Sequence, residues 1–238
     1  MYQFFSDTPV QTGDRYILTQ DQAHHARVLR LSEETVRIVH AGKGWYGTIS
    51  RTSNGYEVLI EQEDDKSREL ALEVILAMAL IKRDKFELVL QKAAELGVTR
   101  IIPFVSERCV IRFDRKSSTR MLERWQAILE EASAQCKRDV IPVIDDTLTF
   151  AQVQKIQADH RYFGYENGYE RSPMLGEALK SGSQLVLIGP EGGLSDAECE
   201  ALQKAGYTMV SFGRRILRAE TAAIYAMSVI SDAMERTE

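Results

Sequence analysis

The residues best placed to do chemistry lie in two glycine-bearing breaks near the C-terminus. In the first, LVLIGPEGG, an apolar strand-like run stops at Gly189, Pro190, Glu191, Gly192 and Gly193, and a helix then opens at SDAE. Ser195 and Glu198 of SDAE have capping-box spacing, in which the serine oxygen and the carboxylate each satisfy an amide that the helix leaves unpaired. In the second, MVSFGRRILRAETAA, Phe212 and Gly213 follow a strand, Ile216 and Leu217 stand between arginines, and Arg218 and Glu220 open an apolar-faced helix. Ligands of open α/β sheets sit beyond the carboxyl ends of the strands, and glycine lets main chain come close to them. One such break alone is ordinary turn chemistry. Two in succession can shape a single pocket with an apolar wall and a polar rim.

What is missing narrows the ligand. No GxxxxGK[ST] and no GxGxxG occurs, so the usual phosphate-cradling and dinucleotide signatures are absent. Glycine loops beside leucine and isoleucine suit a flat adenine and a sulfonium compound better than a polyphosphate. The cysteines, Cys109, Cys136 and Cys199, are far apart, with no histidine at ligand spacing; free thiols and no metal are expected. His24 and His25 are neighbours on an expected helix, point in different directions and make a poor metal clamp.

Two kinds of element must position these residues. Up to Arg68 the pattern is strand-like, in YQFF, YILT, TVRIVHAG, WYGTISRTS and YEVLIEQE, with tight-turn glycines in AGKG and SNG. A helix over about Asp21 to Leu31 interrupts it, and a small β-barrel fits the spacing. The charged EDDKSREL predicts a linker, with a domain boundary near Lys66 to Leu70. Beyond it, LALEVILAMAL reads as a strand covered on both faces, and RDKFELVLQKAAELG as a helix closed by Gly97. RIIPFVS, a long helix around Met121 to Cys136, VIPVI, a helix from Phe150 and RYFGYE continue the alternation into the two glycine breaks. The fold class is α/β with a mainly parallel sheet. A net charge of -5 argues against nucleic-acid binding over the whole surface and leaves room for a local basic patch. No run approaches the ~18 apolar residues of a membrane span, and MYQFFSDTPVQ lacks a signal-peptide pattern; a soluble cytoplasmic protein is expected.

GPEGG and FGRRILRAETAA, together with QKAAELGVTRIIPFVSER, ASAQCKRDVIPVI and HHARVLR, closely resemble the RsmE family of ribosomal RNA uridine N3-methyltransferases, in order and over nearly the whole chain. The resemblance implies a SPOUT domain over residues 69–238, its deep trefoil knot tied around S-adenosylmethionine. It implies a PUA-like β-barrel over residues 1–68 for RNA recognition, a homodimer through the knotted domains, and 16S rRNA or the small ribosomal subunit as substrate, with no membrane and no metal. One wall of the cofactor site is then Gly189, Pro190, Glu191, Gly192 and Gly193; the other is Phe212, Gly213, Ile216 and Leu217, with a contribution from the loop after RYFGYE.

Uridine N3 carries a proton that leaves only well above neutral pH, so the reaction needs a general base or cations near the ring carbonyls. Glu220 and Arg218, next to the cofactor loop, and Arg138, where the long helix ends, are the expected catalytic set. Glu220 would abstract the proton or orient an arginine, and the two arginines would contact phosphate or uracil oxygens. Arg27, Arg30, Arg108, Gln135 and Arg138 are the expected RNA contacts. Each has a plainer alternative: Glu220 as a carboxylate complementing a helix dipole, the arginines as surface ion pairs, Glu191 as an arginine's partner. Lys92 and Glu95 read as a salt contact on a helix face. The chain departs from the pattern of the family it resembles at two places: Cys136 stands where that family usually has a small residue, and LSEETVRIV lacks the glycine expected before the barrel strand. Rival readings are a ribose 2'-hydroxyl methyltransferase, a cofactor-independent RNA-binding protein and a nucleotide-binding oxidoreductase. The FGRRILRAET motif, the intact glycine breaks and the missing GxGxxG weigh against them in turn.

Overall fold

A computed structural model describes residues 1–53, 55–111, 118–165, 169 and 171–236. The chain forms two compact units, Met1–Glu69 with Ser133–Val140 and Leu70–Ala132 with Ile141–Glu238.

The first unit holds β1 (Tyr2–Phe5), β2 (Arg15–Ile17), α1 (Gln20–Val28), β3 (Thr35–His40), β4 (Lys43–Thr52) and β5 (Gly55–Asp64). They form a five-stranded sheet in the order β1, β3, β4, β5, β2. β1 runs parallel to β3, and the other pairs are antiparallel. The alternation in YEVLIEQE is realised in β5, where Tyr56, Val58 and Ile60 are buried with Val36, Ile38 and Ile49. The AGKG break makes the β3–β4 turn, with Ala41 at φ 48 and Gly42 at φ 79, the backbone of a two-residue hairpin loop. The SNG break includes Asn54, which lies outside the described residues. α1 begins with a capping box: Thr19 Oγ1 accepts the Gln22 amide at 3.3 Å, and Gln22 Oε1 accepts the Thr19 amide at 3.1 Å. It ends before the expected Leu31, because Arg30 turns to φ 56.

The expected linker is stitched down by its own charges. Arg37 is fully buried and donates to Asp64 at 2.8 Å, to Gln3 at 2.9 Å and to Asp139. Asp64 also accepts from Tyr46 and Arg68, at 3.0 and 2.6 Å. Burial pushes the Asp64 carboxyl up, but hydrogen bonds from Arg68, the Lys66 amide, Tyr46 and Arg37 outweigh it and bring it down to about 2. Glu69 holds the Arg138 guanidinium and accepts the Asp139 amide at 2.8 Å. Removing one member would strand a buried charge.

In the second unit come β6 (Val74–Ala79), α2 (Arg83–Glu95), β7 (Arg100–Val105), α3 (Ser118–Cys136) as far as Ala132, β8 (Val143–Ile144), β9 (Leu148–Thr149), α4 (Phe150–Val153), β10 (His160–Gly164), α5 (Leu175–Ala178), β11 (Gln184–Ile188), α6 (Asp196–Lys204), β12 (Thr208–Val210) and α7 (Ala219–Glu235). Its sheet runs β12, β10, β11, β6, β7, β8, with β9 also on β7, and every pair is parallel. All six residues of β6 are buried. Val74, Leu76 and Met78 pack with Phe86 and Leu90 of α2, Leu129 of α3 and Met227 of α7. Ile75, Ala77 and Ala79 pack on the opposite face with Cys199 and Leu202 of α6. Trp125 lies against Phe86, ring centroids 4.6 Å apart. VIPVI contributes a strand only at Val143–Ile144, since Pro142 has no amide to give a ladder. The helix from Phe150 is a single turn, its Val153 carbonyl taken by Tyr207 Oη at 2.9 Å. β11 lies between β6 and β10, and β10 lies between β11 and β12, so the carboxyl ends of β10, β11 and β12 are neighbours.

Candidate active site

The loops leaving β10, β11 and β12 converge with the start of α7 on a pocket of about 330 Å3, within the size range of small-molecule sites. Gly189, Pro190, Glu191 and Gly193 line it from the first glycine break, and Phe212, Gly213, Ile216 and Leu217 from the second. Gly192 does not; its carbonyl accepts from Arg108 Nη1 at 3.1 Å.

Each loop is held by identifiable bonds. In the first, the Gly193 amide donates to Pro190 O at 2.9 Å, with Gly193 at φ 70, where a side chain would be strained. Among the described residues Glu191 takes no arginine; its Oε1 accepts the Lys82 amide at 3.2 Å. The SDAE capping box is present, with Ser195 Oγ accepting the Glu198 amide at 3.3 Å and Glu198 Oε2 accepting the Ser195 amide at 2.9 Å. Glu198 does more than its spacing foretells, because Oε1 also accepts the Glu107 amide at 2.9 Å and ties the end of β7 to this loop. In the second loop, Ser211 Oγ accepts the Gly213 amide at 3.1 Å. Phe212 packs against Tyr225 with the rings tilted by 57°, and covers Gly164 so closely that a Cβ there would stand 2.7 Å from its Cζ. Ile216 is 77% exposed and forms an apolar lip.

Cations also reach the pocket. Lys85, Arg215 and Arg218 line the pocket. Glu220 is not itself a lining residue, but its Oε1 binds Lys85 Nζ at 2.8 Å, with 12% of its own side chain and 27% of that of Lys85 exposed. Burial works to raise the Glu220 carboxyl, but the Lys85 hydrogen bond and its neighbours outweigh it and hold it below the ordinary glutamate range. Sequence alone does not single out Lys85. The signal it offers is a place in KRDK, at the carboxyl end of a buried strand.

The remaining expected site residues lie elsewhere. Arg108 is exposed and packs on the first loop's backbone. Arg27 and Arg30 are exposed at the end of α1, Gln135 is exposed in the last turn of α3, and Arg138 is 3% exposed with its guanidinium on Glu69; all four belong to the first unit. Glu166, the last residue of RYFGYE, and residues 167, 168 and 170 of the loop after it lie outside the described residues. Tyr165 does line the pocket and donates to Asp196 at 2.6 Å. The helix-face contact of Lys92 with Glu95 is present at 2.8 Å.

Comparison with known proteins gives this pocket its context. Residues 68–231 match the RNA methyltransferase domain model. The chain is 32% identical to the ribosomal RNA small subunit methyltransferase E of Bacillus subtilis (strain 168), over 93% of this chain and 91% of that protein. It is 37% identical to the protein of the same name from Synechocystis sp., over 92% and 73%. Among solved structures, a ribosomal RNA small subunit methyltransferase E from Neisseria gonorrhoeae bound to S-adenosyl methionine superposes with a TM-score of 0.88 at 28% identity, covering 98% of this chain and 97% of that one. A putative methyltransferase from Legionella pneumophila, in complex with bound SAM, superposes equally well, at 0.88 and 29% identity over the same shares. The strand order, the pocket at the strand ends and similarity along nearly the full length agree: the chain belongs to the RNA methyltransferase domain family, among the ribosomal RNA small subunit methyltransferase E proteins.

Proposed function

We propose that the protein is an S-adenosylmethionine-dependent methyltransferase acting on N3 of a uridine in small-subunit (16S) ribosomal RNA. The observation that carries the reading is the pocket itself, built from the main chain of two glycine loops and apolar side chains. Backbone amides and carbonyls around Gly189 and Gly213 can read an adenine edge while Ile188, Leu194, Ile216 and Leu217 cover its faces. Arg215 and Arg218 suit a carboxylate, and Glu191 an ammonium, so the lining fits both the nucleoside and the amino-acid end of this cofactor. When bound, it supplies an electrophilic methyl group on a sulfonium sulfur. The chain's part is to hold that group and prepare the ring nitrogen.

Finer features belong to the same proposal. The last connections of the second unit would thread a trefoil knot, supported by β11 lying inside β10 and β12 outside it. The first unit's sheet would be a PUA-like barrel for RNA, with the exposed Arg27 and Arg30 as phosphate contacts. Two chains would pair through their cofactor domains, in the cytoplasm.

The test is calorimetric titration with S-adenosylhomocysteine on the wild type and on Gly193→Arg and Leu217→Arg. It is followed by methylation of unmodified small subunits and chromatography of the digested nucleosides. Binding lost in both folded variants, and the label on uracil N3, is the expected outcome. A label on ribose would replace the proposed reaction with 2'-hydroxyl methylation, and a folded wild type that binds nothing would overturn the pocket assignment.

A further inference from the structure

A carboxylate is the obvious candidate to take the N3 proton, yet Glu220, the expected one, is poorly suited to it. Glu220 already accepts from Lys85, and its proton affinity is reduced rather than raised. Its second oxygen, Oε2, is buried without a hydrogen-bond partner among the described residues. Lys85 has the complementary property. Among the described residues its ammonium has one partner, Glu220 Oε1, and an ammonium carries three N–H donors. Two are left for a ligand, on a side chain that lines the pocket.

We propose that Lys85, positioned by Glu220, is the cation that meets the uracil ring in this pocket and carries the charge left when N3 loses its proton. This rests on the reading of the site as a uridine N3-methyltransferase. The N3–H bond breaks with its electron pair staying on the ring, and the proton passes to solvent base. The negative charge spreads onto the two carbonyl oxygens, and Lys85, which keeps its own proton, donates to one of them. The pair on N3 is then the nucleophile. A donor aimed at developing charge in a shielded site is worth far more than one in water. That selects Lys85 over its neighbours, since Arg215 and Arg218 are exposed. The charged groups facing Lys85 are Glu220 and Arg218 at the start of α7, Arg215 from the loop before it and Glu191 from the loop after β11, with the exposed Arg83 and Asp84 beside it on α2. Glu220 is the one with which it forms an ion pair, which fixes the ammonium without occupying its remaining donors.

The experiment is the pH–rate profile of single-turnover methylation of unmodified small subunits by the wild type, Lys85→Met, Lys85→Arg, Glu220→Gln and the double variant Lys85→Met/Glu220→Gln. S-Adenosylhomocysteine affinity is measured for each. Loss of one such donor slows the step by about 100- to 1000-fold. Lys85→Met is therefore expected to lose about that much at neutral pH, with the rise of its profile displaced to higher pH and S-adenosylhomocysteine affinity within about threefold of wild type. Lys85→Arg should recover part of the rate. Glu220→Gln should lose less, with the same direction of displacement. The double variant removes the unpaired carboxylate that could unfold the single one, and should stay folded, cofactor-competent and slow. A Lys85→Met profile superimposable on the wild type overturns the assignment. So does loss of S-adenosylhomocysteine binding in both folded methionine variants, which would make Lys85 a cofactor ligand. A wild type that binds S-adenosylhomocysteine but labels no uracil at any pH overturns the parent reading instead, and this assignment with it.

Discussion

Single residues in this protein are fixed by what stands directly against them. Gly164 ends β10 beneath the Phe212 ring, where an added Cβ would sit inside contact distance. Overpacking of this kind costs about 1–3 kcal/mol, and here Phe212, itself a pocket wall, must move. Gly164→Ala is therefore expected to weaken S-adenosylhomocysteine binding by at least tenfold while the far-ultraviolet circular dichroism is unchanged; an unaltered affinity would show that the ring yields without cost. Glu87 offers a pH-dependent test. The Arg124 guanidinium, bonded to both its oxygens at 2.6 and 2.7 Å, acts with Arg83 against desolvation and holds its carboxyl at about 2. Because the folded value lies below the unfolded one, its stabilising contribution is complete above about pH 5 and is lost as pH falls from there toward 2. Glu87→Gln should flatten the slope of unfolding free energy against pH in that window, measured by denaturant titration, and leave the slope above pH 6 as it was.

At the scale of elements, caps and registers do the positioning. α6 begins where the first glycine loop ends, and Ser195 closes that junction. Ser195→Ala should cost about 1 kcal/mol in urea denaturation. Glu198→Ala should cost more, because its carboxylate also holds the Glu107 amide; equal losses would mean the second bond is idle. The capping box, the doubly covered β6, helix α2 and both glycine breaks were legible in the sequence, because each rests on residues close together in the chain. Lys85 was not, since nothing local says that the start of α2 lies beside the start of α7. Neither was the placing of β11 between β6 and β10, as parallel strands buried on both faces carry no mark of their neighbours. Arg138 stands in a charged stretch that reads as surface, and only the fold reveals Glu69 as its partner.

For the molecule as a whole, ligand linkage divides the two units. S-Adenosylhomocysteine at a hundred times its dissociation constant should stabilise whatever unfolds with the pocket by about 2.7 kcal/mol. Hydrogen exchange should therefore slow across β10, β11, β12 and the start of α7, and leave β3 and β4 of the first unit unchanged if the units open independently. Protection spreading equally through both would show that they unfold as one. The first unit also has an unusual relation to the order in which the chain is made. It comprises Met1–Glu69 and Ser133–Val140, and Arg37, wholly buried, is shared between Asp64 and Asp139. A nascent chain that has emerged only as far as Glu69 holds that arginine with half its acidic partners. The first unit must wait, incompletely neutralised, while roughly the next 70 residues are synthesised at about 5–20 residues per second, so it cannot be finished until a long stretch of the second unit has already been made.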